Sequence, residues 1–313
     1  MISSQGLKPH HAGLTLVELL IVLSILAVLS TVALRSVVGK FEDGNYDANI
    51  SQLEEIQRAI LGEEEAAGFL GDIGRLPVAI GDSTSTNLEQ LAELWDQNAS
   101  GLPSYAINTP TGDSDVRLGT GWRGPYLNLG INRSELTDGF ANPFILYQAD
   151  GSLADGSDPI AIVQSLGADG GLGGASYNED FEVVFQADLG AVSAGFANAT
   201  TNGWQTDLEV TVVRDSGAIA FADGAHLIVR AYGADGSGGL HTVVEEKFTL
   251  TIDVPSQTFT LSSLPQGSKV LRAYQDATDP TTKDTGIISP ERKSPATHIL
   301  VKRFTSPVTL TLY

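Results

Sequence analysis

The sequence predicts an α+β protein in which a long N-terminal α-helix packs on a small antiparallel β head domain, followed by a separate all-β sandwich domain. Three observations point to this. An apolar run from Leu14 to Leu34 passes, without a proline, into a segment where Ile50, Leu53, Ile56 and Ile60 recur at helical spacing between Glu54, Glu55 and Arg58. The middle of the chain is rich in Gly, Asn and Asp, the residues of turns and hairpin loops. After about residue 185, apolar and polar residues alternate with the period of a strand. The 313 residues divide on these grounds into a polar leader (1–13), a helix (14–66), a head (67–184) and a β region (185–313).

Composition narrows the chemistry. A formal net charge of −20, with only 18 Lys and Arg, argues against a nucleic-acid partner, because that affinity comes from neutralising phosphates. There is no Cys, so disulfides, thiolate metal sites and Cys nucleophiles are excluded. Packing and ions must hold the fold, and so acidic a surface suits solubility or divalent cations.

Leu14–Leu34 is 21 residues with a single charge, Glu18, and Arg35 and Lys40 lie beyond its far end. It is long enough to span a bilayer as a helix. A secretory signal or a plain membrane anchor would read the same way, except for Glu18. A carboxylate inside the bilayer costs about 2.5–3.5 kcal/mol on insertion scales, and an anchor gains nothing from it. The cost makes sense if cleavage after Gly13 frees the amino group of Leu14 and Glu18 neutralises such a group on a neighbouring subunit. That pair would set the stagger between packed helices.

Gly13-Leu14-Thr15-Leu16-Val17-Glu18 resembles the class III signal of type IV prepilins. The resemblance implies that a prepilin peptidase cuts after Gly13, that Leu14 becomes the N-methylated terminus and that Glu18 is the registry residue. Pilins often carry a kinking proline in this helix, whereas here Gly39 and Gly44 are the weak points. Each glycine costs a helix interior about 1 kcal/mol relative to Ala, so local melting during assembly and simple tolerance both remain open.

Trp122-Arg-Gly-Pro-Tyr126, Asp138-Gly-Phe-Ala-Asn-Pro-Phe144 and Ser165-Leu-Gly-Ala-Asp-Gly170 occur in that order. Together they resemble the head of the major pseudopilin of type II secretion, with Gly139 and Phe140 standing where that family usually has Pro and Trp. The resemblance covers about the first 180 residues. It implies a calcium ion in the loop that follows, with Asp169, Glu179, Asp180 and the backbone carbonyl of Leu166 as ligands; calcium takes six to eight oxygens. The other reading of this Gly-rich loop is an acidic turn. It is no phosphate loop, since no Gly-Lys-Ser/Thr follows.

In the β region, Leu208/Val210/Val212, Phe248/Leu250/Ile252, Phe259/Leu261 and Val308/Leu310/Leu312 alternate as strands do. Leu264-Pro-Gln-Gly267 has the pattern of a type I turn between two of them. The run from Thr258 to Ala273 resembles transthyretin-like or immunoglobulin-like sandwich modules. His226, His241 and His298 sit in separate strand-like segments without metal or nucleophile spacing, and no enzyme is expected.

The expected function is therefore a homo-oligomeric filament subunit of a type IV pilus or a type II secretion pseudopilus. It would be held in the inner membrane before assembly and lie in a periplasmic or extracellular filament afterwards. Such a subunit implies a prepilin peptidase, an inner-membrane assembly platform and an assembly ATPase as partners. The alternative is a low-abundance minor subunit whose β region binds a secreted substrate, a surface or a glycan.

Overall fold

The computed structural model describes residues 16–63, 66–80, 88–99, 101–129, 136–185, 200–201, 204–214, 226–249, 255–276, 292–302 and 305–313. Among these the architecture is α+β and rich in antiparallel sheet. Helix α1 (Leu16–Leu61) is one element of 46 residues, continuous through Gly39 and Gly44. It ends five residues short of the expected Ala66. Gly62 adopts φ +86°, where its N–H still reaches the Arg58 carbonyl at 2.7 Å, and a Cβ there would lie 2.3 Å from the Ala66 oxygen. A glycine in the left-handed region is a common helix stop.

The C-terminal half of α1 lays Leu53, Ile56 and Ile60 into a core built with Phe69, Leu70 and Ile73 of the short helix α2 (Phe69–Ile73), and with Leu94, Phe144, Ile160 and Phe185. Leu88–Leu94 forms two short 3-10 turns that meet at a kink at Leu91. Around this core lie a two-stranded ribbon, β1 (Ala106–Asn108) with β2 (Leu118–Thr120), and a sheet of β3 (Ile145–Tyr147), β4 (Ile162–Ser165), β5 (Phe181–Val184) and β6 (Thr200–Thr201). The β3–β4–β5 pairings are antiparallel, whereas β6 joins β5 in parallel.

The remaining strands are β7 (Gln205–Arg214), β8 (His226–Ala234), β9 (Leu240–Thr249), β10 (Ser256–Pro265), β11 (Gly267–Asp276), β12 (Arg292–Lys293), β13 (Thr297–Val301) and β14 (Val308–Leu312). They form one sheet in the order β10-β7-β14, with β14 parallel to β7, and a second in the order β12-β11-β8-β9, with β13 also paired to β11. Alternate residues of both sheets meet in one core, including Leu208, Val210 and Val212 of β7, Leu227 and Val229 of β8, Leu271 of β11 and Leu310 and Leu312 of β14. Leu264-Pro-Gln-Gly267 does not close a hairpin: β10 and β11 belong to different sheets, so this segment carries the chain from one sheet to the other. Leu250 and Ile252 lie outside the described residues.

Strands β8 and β11 are buried on both faces, because their outer side is covered by the head. Val116 and Leu118 pack on Tyr232 and Val270. Gly267, at φ +111°, lies so close to α2 that a Cβ would fall 2.2 Å from the Cα of Gly71. Gly74 meets the carbonyl of Ala234 just as closely, while the N–H of Gly236 donates to the Ile73 carbonyl at 2.7 Å. Arg272, almost fully buried, donates to Asp113 Oδ1 at 2.5 Å, to Asp115 Oδ2 at 3.0 Å and to the Ser294 carbonyl at 2.9 Å. Tyr274 donates to the other oxygen of Asp113. Arg272→Ala would leave Asp113 as a buried anion without its cation, so it should lower the unfolding free energy by about 3–5 kcal/mol in denaturant titration.

Candidate functional site

The first candidate site is the N-terminal half of α1. None of the window Leu16–Ala33 is buried, and Leu16, Val17, Leu19, Leu20, Ile21 and Leu23 are each at least half exposed. Glu18 lies in the first helical turn, where a carboxylate favourably faces the unsatisfied N–H groups of the helix end. Gly13 and Leu14 lie outside the described residues. One helix thus has two solubilities: its first half is apolar and uncovered, and its second half is anchored in the head core.

The head motifs converge on that anchor. In the Trp122–Tyr126 motif, Trp122 Nε1 donates to the Glu93 carbonyl at 2.8 Å, and Tyr126 OH donates to Asp72 Oδ2 at 3.1 Å. Arg123 Nε pairs with the same Asp72 oxygen at 3.0 Å. Burial pushes the Asp72 carboxyl up to about 6, against the opposing pull of Arg123. Burial and the neighbouring Asp72 charge also raise the Tyr126 phenol.

The Asp138 and Ser165 motifs are joined to each other. Asp138 Oδ1 accepts from the N–H of Phe140 at 2.9 Å and of Asn142 at 2.8 Å, and its Oδ2 accepts from Ser165 Oγ at 2.5 Å. Asn142 Nδ2 donates to the Gly167 carbonyl at 2.6 Å. Gly139, where the resembled family has Pro, lies against α1: a Cβ would fall 2.1 Å from the Asn45 carbonyl oxygen. Tyr177 extends the attachment, donating to Asp43 Oδ1 of α1 at 2.5 Å, with Tyr46 in edge contact with Tyr177 and Phe181.

The expected calcium ligands lie on this loop. Leu166 follows β4, Asp169 is exposed and accepts from the Gly171 N–H at 3.0 Å, and Glu179 and Asp180 immediately precede β5. Asp180 Oδ2 accepts from the Gly173 N–H at 2.8 Å and from Gln164 Nε2 at 3.2 Å, closing the loop on itself. Among the described residues its Oδ1 is buried with no hydrogen-bond partner, and so is Oε2 of Glu182. Burial, then the charge of Asp180, raises the Glu182 carboxyl to about 7. Among the described residues no three acidic or His side chains gather as a metal site, so a cation here would draw most of its oxygens from the backbone. Orphaned carboxylate oxygens are the kind of donor that a hard cation satisfies. His226, His241 and His298 fall on β8, β9 and β13.

Tyr177 and Glu182 were not singled out in the sequence, and Asp138 and Asn142 entered only as members of the Asp138–Phe144 motif, without a role of their own. A period-two reading of Asp180-Phe-Glu182 at the start of β5 would have placed both acids on one face of the sheet.

Two oppositely directed effects set the pH dependence at Asp72. Its folded-state pKa is raised, so its contribution is fully present below about 4 and is lost as pH rises through about 6. Arg123→Ala removes the cation that limits this loss. The variant should therefore be less stable than the parent by about 1–3 kcal/mol at pH 7.5, with a smaller difference at pH 4, as read by thermal unfolding.

A family model, the prokaryotic N-terminal methylation motif, matches residues 8–34. Neither a curated protein nor a solved structure matches the chain. The matched segment takes in residues 8–13 of the expected leader, Glu18 and the apolar start of α1.

Proposed function

We propose, from the type IV pilin and pseudopilin signal that this chain carries, that it is a structural subunit of a type IV pilus-like or type II pseudopilus filament. The observation that carries this reading is the uncovered apolar half of α1 with Glu18 in its first turn, all within the segment that matches the methylation motif. A single helix of this kind fits a membrane-anchored precursor. In the filament, the same face is covered by the helices of other copies.

Processing after Gly13 leaves Leu14 as the N-methylated terminus. Glu18 accepts the positive charge of that terminus on the neighbouring copy, so that the carboxylate is never buried alone. Extraction from lipid is uphill until those contacts form, which assigns the work to an assembly ATPase and an inner-membrane platform. The β region then lies on the outside of the polymer. If the chain is instead scarce in filaments, the β region becomes the binding module of a minor subunit.

Calcium belongs to the same proposal. The orphaned Asp180 Oδ1, with Asp169, Glu179 and the Leu166 carbonyl, would hold the ion and fasten the 166–180 loop beside β5. What a calcium ion supplies there is charge neutralisation and a rigid loop.

Glu18→Ala should leave cleavage after Gly13 intact and reduce sheared filament by about tenfold or more, the equivalent of one lost contact of roughly 1.4 kcal/mol. Normal filament yield in that variant would remove the registry role. Parent protein should gain thermal stability at about 1 mM calcium, and Asp180→Asn should abolish that gain. An equal melting temperature for the variant with and without calcium, beside a shifting parent, is the expected pattern; a parent that does not shift would refute the calcium site.

A further inference from the structure

A cleft of about 450 Å³ opens where β3, the turn before β4 and the start of β7 meet. It is lined by Arg75, Leu76, Gln148, Asp150, Asp158 and Trp204, together with Ala149 and Pro159. Nothing in the filament reading uses it.

The hydrogen-bond inventory of its walls is one-sided. The Arg75 guanidinium is already engaged: Nε donates to the Gly236 carbonyl at 3.0 Å, and Nη1 and Nη2 grip the two oxygens of Glu93 at 2.8 and 2.7 Å. Nη1 also reaches the Leu76 carbonyl at 3.0 Å, so four of the five N–H groups are engaged and the charge is neutralised. Gln148 is likewise consumed. Its amide donates to Asp155 at 2.6 Å and to Ser157 at 3.1 Å, and its carbonyl accepts from Ser152 at 3.1 Å. What remains for a ligand, beside one N–H of Arg75 and the indole N–H of Trp204, is two carboxylates and apolar surface. Asp158 has no partner among the described residues, and Asp150 uses only Oδ1, toward Ser152. The walls between them are Leu76, Ala149, Pro159 and the half-buried indole of Trp204.

We propose that this cleft binds an organic cation: an alkylammonium or guanidinium group on a short apolar stem. A neutral sugar would leave the charges of Asp150 and Asp158 unpaired, and an anion would meet two carboxylates in a protein of net charge −20. A cation finds charge partners in Asp150 and Asp158 and an aromatic wall in Trp204, the side chain that attracts cations most strongly. The stem fills the apolar part. Both lysine or arginine side chains on a polypeptide and free polyamines present this chemistry.

The test is calorimetric titration of the full-length chain in detergent micelles with Nα-acetyl-lysine amide and, separately, putrescine. Nα-acetyl-norleucine amide, glucose and acetate serve as neutral and anionic controls. Saturable binding of at least one cation is expected, with none of the three controls bound. Tighter binding of the capped lysine identifies a polypeptide side chain as the ligand, and tighter binding of putrescine identifies a free polyamine. Trp204→Leu and Asp158→Asn should each weaken the preferred probe by about fivefold or more. Glu209→Gln removes the same charge from an exposed position on β7, away from the cleft, and should leave binding unchanged. Should Trp204→Leu fail to fold, Asp158→Asn carries the comparison. Absence of cation binding, equal binding of norleucine amide or glucose, or equal weakening by Asp158→Asn and Glu209→Gln would each overturn the proposal.

Discussion

A stretch of apolar helix that no part of its own chain covers has no stable place in water. Among the described residues Leu16–Ala33 is such a stretch, and the rest of the fold has to hold the helix that carries it. Burying apolar surface is worth about 25 cal/mol per Å², so several exposed Leu, Ile and Val side chains drive this segment into lipid or against other copies of itself. The first half of α1 can keep that exposed face only because the second half is held firmly. Ile56 and Ile60 are fully buried in the head core, while Tyr177 and Gly139 fasten the 138–181 segments to Asp43 and Asn45. The head therefore acts as a grip on the helix.

The β region is in turn gripped by the head. The close approach of Gly267 to Gly71, the Gly74–Ala234 contact and the Arg272–Asp113 pair together leave little room for one body to move against the other. The outer faces of β8 and β11 carry Tyr232, Val270, Arg272 and Tyr274; Val116 and Leu118 pack on the first two, and Asp113 meets the others. A pull applied along α1 passes through these contacts to the β sheets. That rigidity suits the proposed subunit, whose outer part would keep a fixed position on a polymer.

Much of this was legible in the sequence because it rests on periodicity and on short motifs. The apolar run with Glu18, the helical spacing of Ile50 to Ile60 and the alternation in β7, β10 and β14 are local signals, and the structure carries each of them. The stop at Gly62 was also locally encoded, but its meaning depends on Ala66 returning to meet it. Leu264–Gly267 illustrates a different limit. The same four residues suit a hairpin or a passage between sheets, and only the pairing of β10 with β7 and of β11 with β8 decides it. The links from Asp138 to Ser165 and from Arg272 to Asp113 join residues far apart in the chain, where no spacing rule applies. The Asp180–Glu182 pair becomes a candidate cation position only when burial strands one oxygen of each.

The decisive measurement is mass spectrometry of polymer sheared from cells that express the chain. Assembly through α1 requires a 300-residue subunit (313 − 13) beginning at N-methyl-Leu14 as a structural component of that polymer. A chain still beginning at Met1, or a processed chain found only in the membrane fraction and never in sheared material, would contradict assembly through this helix.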